Sequence, residues 1–171
     1  MTRLAEQAGR ALRAAQLRVA TAESCTGGGI ATALTDVPGS SNWFERGYVT
    51  YSNESKVQDL GVDAQALLRH GAVSAAVVEQ MAAGALRASG ADLALAVSGI
   101  AGPDGGTPEK PVGLVYFAVQ RRGGPAEISQ GHFPGDRAAV RSAAVNRALQ
   151  LITAAALTGP GERESATSGK I

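Results

Sequence analysis

Ser24 lies in AESCTGGG, directly after a short apolar run and before a glycine-assisted turn into what reads as a helix. A hydroxyl placed there is held at the carboxyl edge of a sheet, where clefts form. The backbone N–H groups of Cys25, Thr26, Gly27 and Gly28, at the start of the following helix, could receive a negative oxygen. That suits nucleophilic attack on a carbonyl. It equally suits a plain helix cap by Ser24 and Thr26, and the string is not the G-x-S-x-G elbow. A serine nucleophile needs a base. His70 and His132 are the only histidines and neither has an acidic orienter nearby in the chain, although triad members need not be sequence neighbours. The other base is Lys56, in YVTYSNESK. A free lysine, with a pKa of ~10.4, is charged at pH 7, but desolvation or a nearby positive charge lowers that by several units. Tyr51, five residues earlier and read as the end of a strand, could orient or relay a proton.

A second place for chemistry is the loop GIAGPDGGTPEKPVG. Its Gly99, Gly102, Gly105 and Gly106, with Thr107, free backbone for close contact with a ligand, as anion nests do. It is no phosphate loop of the GxxxxGK[ST] kind, and a surface crossover is the competing reading. In FPGDRAAVR, Arg137 and Arg141 share one face of a helix and either could clamp a phosphate or carboxylate. Asp136 reads as that helix's N-cap. Asp104 and Glu109 match no metal-ligand spacing, so the sequence points to no metal.

These residues need elements to position them. Residues 4–16 have apolar positions at helical spacing, 18–22 form a short strand, and a helix follows the turn at 23–28. Residues 46–51 alternate as a strand, Ser52 and Asn53 cap the polar stretch after it, and Asp63 and Ser74 open two further helices. Residues 92–98 lead into the glycine-rich loop. Strand 113–120 pairs with 126–133 as a hairpin across RRGGP, and Asp136 opens a last helix to about residue 155. Helices and strands interleave early while a hairpin closes the sheet late, which predicts an α/β fold: three α/β/α layers around a mixed sheet of about five strands. One domain over 1–158 and a flexible tail over 159–171 are expected.

Composition narrows the function classes. Sixteen Lys and Arg against fifteen Asp and Glu leave a net charge of +1, without the basic footprint of a nucleic-acid binder. A single cysteine excludes an intrachain disulfide, and no apolar stretch of ~18 residues suggests a membrane span. A cytoplasmic location is expected.

The strings AESCTGGGIATALTDVPGSSNWFERGYVTYSNESK, GAVS and AVSGIAGPDGGTPEKPVGLVYFAV resemble the C-terminal domain family of the competence/damage-inducible protein CinA, over about residues 4–157. The resemblance implies a nicotinamide-nucleotide amidase that converts nicotinamide mononucleotide to the nicotinate nucleotide and ammonia. It implies a Ser/Lys mechanism with Ser24, Lys56 and an assisting Tyr51, a phosphate-side arginine at Arg137 or Arg141, no cofactor, and a homo-oligomer of at least two copies. It also implies the stand-alone form of the domain. A nucleotide-binding or regulatory module without catalysis is one alternative, and a structural interaction domain whose small-residue faces drive assembly is the other.

Overall fold

The structure is a computed structural model, and it describes residues 2–158; the expected tail at 159–171 lies outside the described residues. In chain order the elements are α1 (Thr2–Ala14), β1 (Val19–Glu23), α2 (Gly29–Thr35), β2 (Phe44–Val49), α3 (Asn53–Leu60), α4 (Ala64–His70), α5 (Ala75–Ser89), β3 (Leu93–Gly99), β4 (Leu114–Arg121), β5 (Ala126–His132) and α6 (Arg137–Leu157), with a 3-10 turn at Ser40–Asn42. The predicted caps are where the sequence puts them except Asn53, which is the first residue of α3 while Ser52 alone caps it. Ser52, Asp63, Ser74 and Asp136 each accept a hydrogen bond from the first turn of α3, α4, α5 and α6.

The sheet order is β2-β1-β3-β4-β5. β2, β1 and β3 are parallel, and β4 and β5 add as the antiparallel hairpin. Helices cover both faces, so the three-layer α/β/α arrangement with a mixed five-stranded sheet is the observed fold.

The two faces differ in side-chain size, and that difference positions the site. Alternate residues of each strand point to opposite faces. One face presents Val19, Leu93, Leu95, Val97, Val115, Phe117 and Val119 to α1, α2 and α6. The other presents Ala20, Ala22, Ala94, Ala96 and Ala118 to α3, α4 and α5. Alanines let helices sit close. α3 in turn packs tightly on α5 at Gly84, where a Cβ would lie 2.0 Å from the Leu60 carbonyl oxygen. The helix that carries Lys56 is thereby pressed toward the alanine face.

Candidate active site

Ser24 extends β1 by one residue. Its N–H donates to the Val97 carbonyl at 3.0 Å, and its own carbonyl accepts from Gly27 N–H at 3.0 Å, closing a turn. Gly27 and Gly28 have φ of 58° and 89°, the left-handed region that glycine enters without a Cβ penalty. Gly28 is the N-cap of α2 and offers no side chain to the helix's free N–H groups. Glu23 takes that role from below. Fully buried, it accepts hydrogen bonds from Ile30 N–H (3.0 Å), Ala31 N–H (2.8 Å), Thr26 Oγ1 (2.8 Å) and Thr21 Oγ1 (3.2 Å). The capping alternative for Ser24 and Thr26 is therefore not what the structure shows: Thr26 donates to Glu23, and Ser24 faces Lys56. Sequence reasoning missed Glu23. Its signal was a lone carboxylate at the end of an otherwise apolar strand, which folding leaves buried only if donors meet it.

Lys56 sits in the second turn of α3, and it and Leu60 are that helix's buried residues. At 1% exposure its amine lies 3.1 Å from Ser24 Oγ. Around the same nitrogen are the carbonyl oxygens of Thr50 (2.7 Å), Tyr51 (3.4 Å) and Ser52 (3.4 Å). Burial holds Lys56 below the usual lysine range, because an ammonium loses hydration there; a negative charge on Cys25 would oppose this. Burial also pushes the Cys25 thiol up to about 11, so at pH 7 it is neutral and the opposing charge is absent. An amine held toward its neutral form beside a hydroxyl can accept that hydroxyl's proton. The three carbonyls then stand ready for the ammonium that results.

Other candidates fall where the sequence could not place them. β2 ends at Val49, so Tyr51 lies in the connection to α3 and its side chain is 57% exposed. What it offers Lys56 is its backbone carbonyl. Its hydroxyl instead accepts from Arg137 Nη2 at 2.8 Å, while Arg137 Nη1 donates to the Gly102 carbonyl at 3.0 Å. Arg137 thus bridges the β2–α3 connection and the glycine-rich loop at the exposed rim. Arg141 does something different: it donates to the carbonyls of Cys25 (3.1 Å) and Thr26 (2.9 Å), fastening the serine turn from behind. Gly27 N–H is spent within the turn, which leaves the Thr26 and Gly28 N–H groups without a partner among the described residues.

Gly99 ends β3, and residues 103–109, with Gly105, Gly106 and Thr107, are exposed. Thr107 Oγ1 accepts from Lys110 N–H at 3.0 Å. Lys110 Nζ donates to the His70 and Val73 carbonyls, tying the loop to the α4–α5 corner. The His132 ring is within 2.9 Å of the Val112 carbonyl and His70 is exposed at the end of α4; neither ring is hydrogen-bonded to Ser24. Among the described residues no group of three His, Cys, Asp or Glu is arranged to hold a metal ion, and no helix is long and apolar enough to cross a membrane.

A profile of the CinA C-terminal domain family matches residues 1–156. The chain is 55% identical over 152 residues to the nicotinamide-nucleotide amidohydrolase PncC of Escherichia coli strain K12, covering 89% of this chain and 92% of that protein. Against the protein of the same name from Pseudomonas putida it is 55% identical over 149 residues, covering 87% and 92%. The crystal structure of a competence-damaged protein (CinA) superfamily member from Klebsiella pneumoniae superposes with a TM-score of 0.87 at 41% identity, covering 91% of this chain and 96% of that one. With a profile matched along nearly its whole described length, the chain belongs to the CinA C-terminal domain family.

Proposed function

We propose that this chain is a nicotinamide-nucleotide amidohydrolase, an amidohydrolase domain over residues 1–158 that converts nicotinamide mononucleotide and water to nicotinate mononucleotide and ammonia. The substrate rests on the two relatives of that name at 55% identity. The single observation that carries the mechanism is the 3.1 Å approach of the buried Lys56 amine to Ser24 Oγ. Neutral Lys56 accepts the Ser24 hydroxyl proton as Oγ attacks the carboxamide carbon, and the carbonyl π electrons move onto oxygen. The free Thr26 and Gly28 N–H groups, with Cys25 beside them, face that oxyanion. The new ammonium, held by the Thr50, Tyr51 and Ser52 carbonyls, passes its proton to the amide nitrogen as the C–N bond breaks and ammonia leaves. Water then adds to the acyl-serine, giving a proton to Lys56 that returns to Ser24 Oγ. No cofactor enters this balance.

Arg137, at the rim, grips the phosphate, with the loop from Gly99 to Thr107 along the sugar. Tyr51 acts through its carbonyl on Lys56 and its hydroxyl on Arg137. Arg141 serves the turn. The proposal extends to a homo-oligomer of at least two copies working in the cytoplasm, which light scattering of the purified chain and localisation in cells would check.

Ammonia release from nicotinamide mononucleotide tests the reading. Ser24→Ala is expected to lower turnover by roughly a thousandfold or more while leaving the melting temperature in place. Turnover near wild type removes Ser24 as nucleophile; tight nucleotide binding by the wild type without ammonia favours the non-catalytic module.

A further inference from the structure

Three hydroxyl side chains stand in one row across the parallel strands. Glu23 is paired with Val49 on one side and Val97 on the other. Thr50 N–H donates to the Glu23 carbonyl at 2.9 Å, and Ser24 N–H to the Val97 carbonyl at 3.0 Å, so the register continues one residue further. Ser24 therefore sits between Thr50 and Ser98. Strands in a sheet lie ~4.8 Å apart and residues in register face the same side. Here that side is the one whose preceding rows are Ala20 and Ala22 on β1 and Ala94 and Ala96 on β3.

Ser98 is 1% exposed and Thr50 fully buried, and neither the Ser98 Oγ nor the Thr50 Oγ1 has a hydrogen-bond partner; what separates them is the flank from which each approaches Ser24. An unpaired buried hydroxyl costs stability, and the alanines beside it show that a methyl group is accommodated on this face. Lys56 reaches Ser24 from the β2 flank, where its amine also meets the Thr50 carbonyl. Ser98 is on the opposite, β3 flank. An oxygen that has given its proton to Lys56 and is bonding to an amide carbon keeps two lone pairs; the Lys56 ammonium can meet one from the β2 flank, and a donor on the far flank can meet the other.

We propose that Ser98 is a positioning residue for the nucleophile, its hydroxyl donating to Ser24 Oγ as the Ser24 proton moves to Lys56. This rests on the Ser24–Lys56 reading above. It makes the unpaired hydroxyl a cost carried by the free protein and recovered during attack.

The test measures melting temperature, the rate at which a fluorophosphonate labels Ser24, and ammonia release, in wild type, Ser98→Ala and Ser98→Thr. Ser98→Ala is expected to melt no lower than wild type, yet to slow labelling and kcat about tenfold at unchanged KM, the scale of one hydrogen bond made only during attack. Ser98→Thr keeps the hydroxyl and stays within about threefold of wild type. Unchanged labelling and kcat in Ser98→Ala overturns the proposal. So does a lowered melting temperature, which would mean the hydroxyl is already bonded in the free protein, or a Ser98→Thr as slow as the alanine variant. A wild type that labels but releases no ammonia sinks the amidase reading alone, and the labelling rates still decide the role of Ser98.

Discussion

The turn at Ser24–Gly28 and the loop at residues 100–113 leave the same carboxyl edge of the parallel strands, but they are held in opposite ways. Cys25 and Thr26 are buried, four donors converge on the Glu23 carboxylate beneath them, and Arg141 fastens two of the turn's carbonyls. The loop is exposed from Pro103 to Glu109 and is held mainly at its ends, by Arg137 on the Gly102 carbonyl and Lys110 on the α4–α5 corner. A nucleophile needs a fixed attack geometry, whereas a ligand grip tolerates adjustment. On the proposed reading, the first segment makes the bond and the second holds what is brought to it.

Damage to the two segments should therefore read out differently. Glu23→Gln is expected to have the larger effect. A glutamine offers one acceptor oxygen where four donors converge and turns an NH2 toward some of them, so unfolding free energy should fall by about 2–3 kcal/mol. With the turn loosened, kcat should fall more than tenfold at nearly constant KM. Denaturant melts and steady-state kinetics check both; a variant with normal kcat would mean that the turn does not depend on its buried carboxylate. Lys110→Met is expected to be milder. It frees the loop from the His70 and Val73 carbonyls, raising KM about three- to tenfold with little change in kcat, and costing at most ~1 kcal/mol of stability because the contact is half-exposed. A loss of kcat with unchanged KM would erase the distinction between turn and loop.

Much of this architecture was legible in the chain because its cues are local. Caps at Ser52, Asp63, Ser74 and Asp136 act within a single helical turn, and the hairpin is announced by RRGGP between two alternating runs. Ser24 was legible as a candidate from its glycine-rich surroundings, and Lys56 from its motif context. What was not legible depends on register and reach. Whether Glu23 is a strand residue or a turn residue differs by one position in β1, and only its contacts with Ile30 and Ala31 explain why a carboxylate is buried there. The two arginines are one helical turn apart with the same local chemistry; which one meets the serine turn and which meets the rim is decided by the packing of α6. The row of Thr50, Ser24 and Ser98 joins residues from three strands and has no trace in chain order.

The account depends on Lys56 being an uncharged amine in the folded protein at neutral pH. The sequence has three lysines, Lys56, Lys110 and Lys170, so 15N-lysine labelling gives a spectrum simple enough to titrate, with Lys56→Met assigning the resonance. A lysine whose folded pKa is lowered is neutral above that value, so activity should rise with pH through the same midpoint as the Lys56 Nζ resonance. The expected result is one lysine resonance titrating below the ordinary lysine range, lost in Lys56→Met, with kcat/KM following its deprotonation. Three lysines all titrating near the ordinary value of ~10.4 would contradict the account.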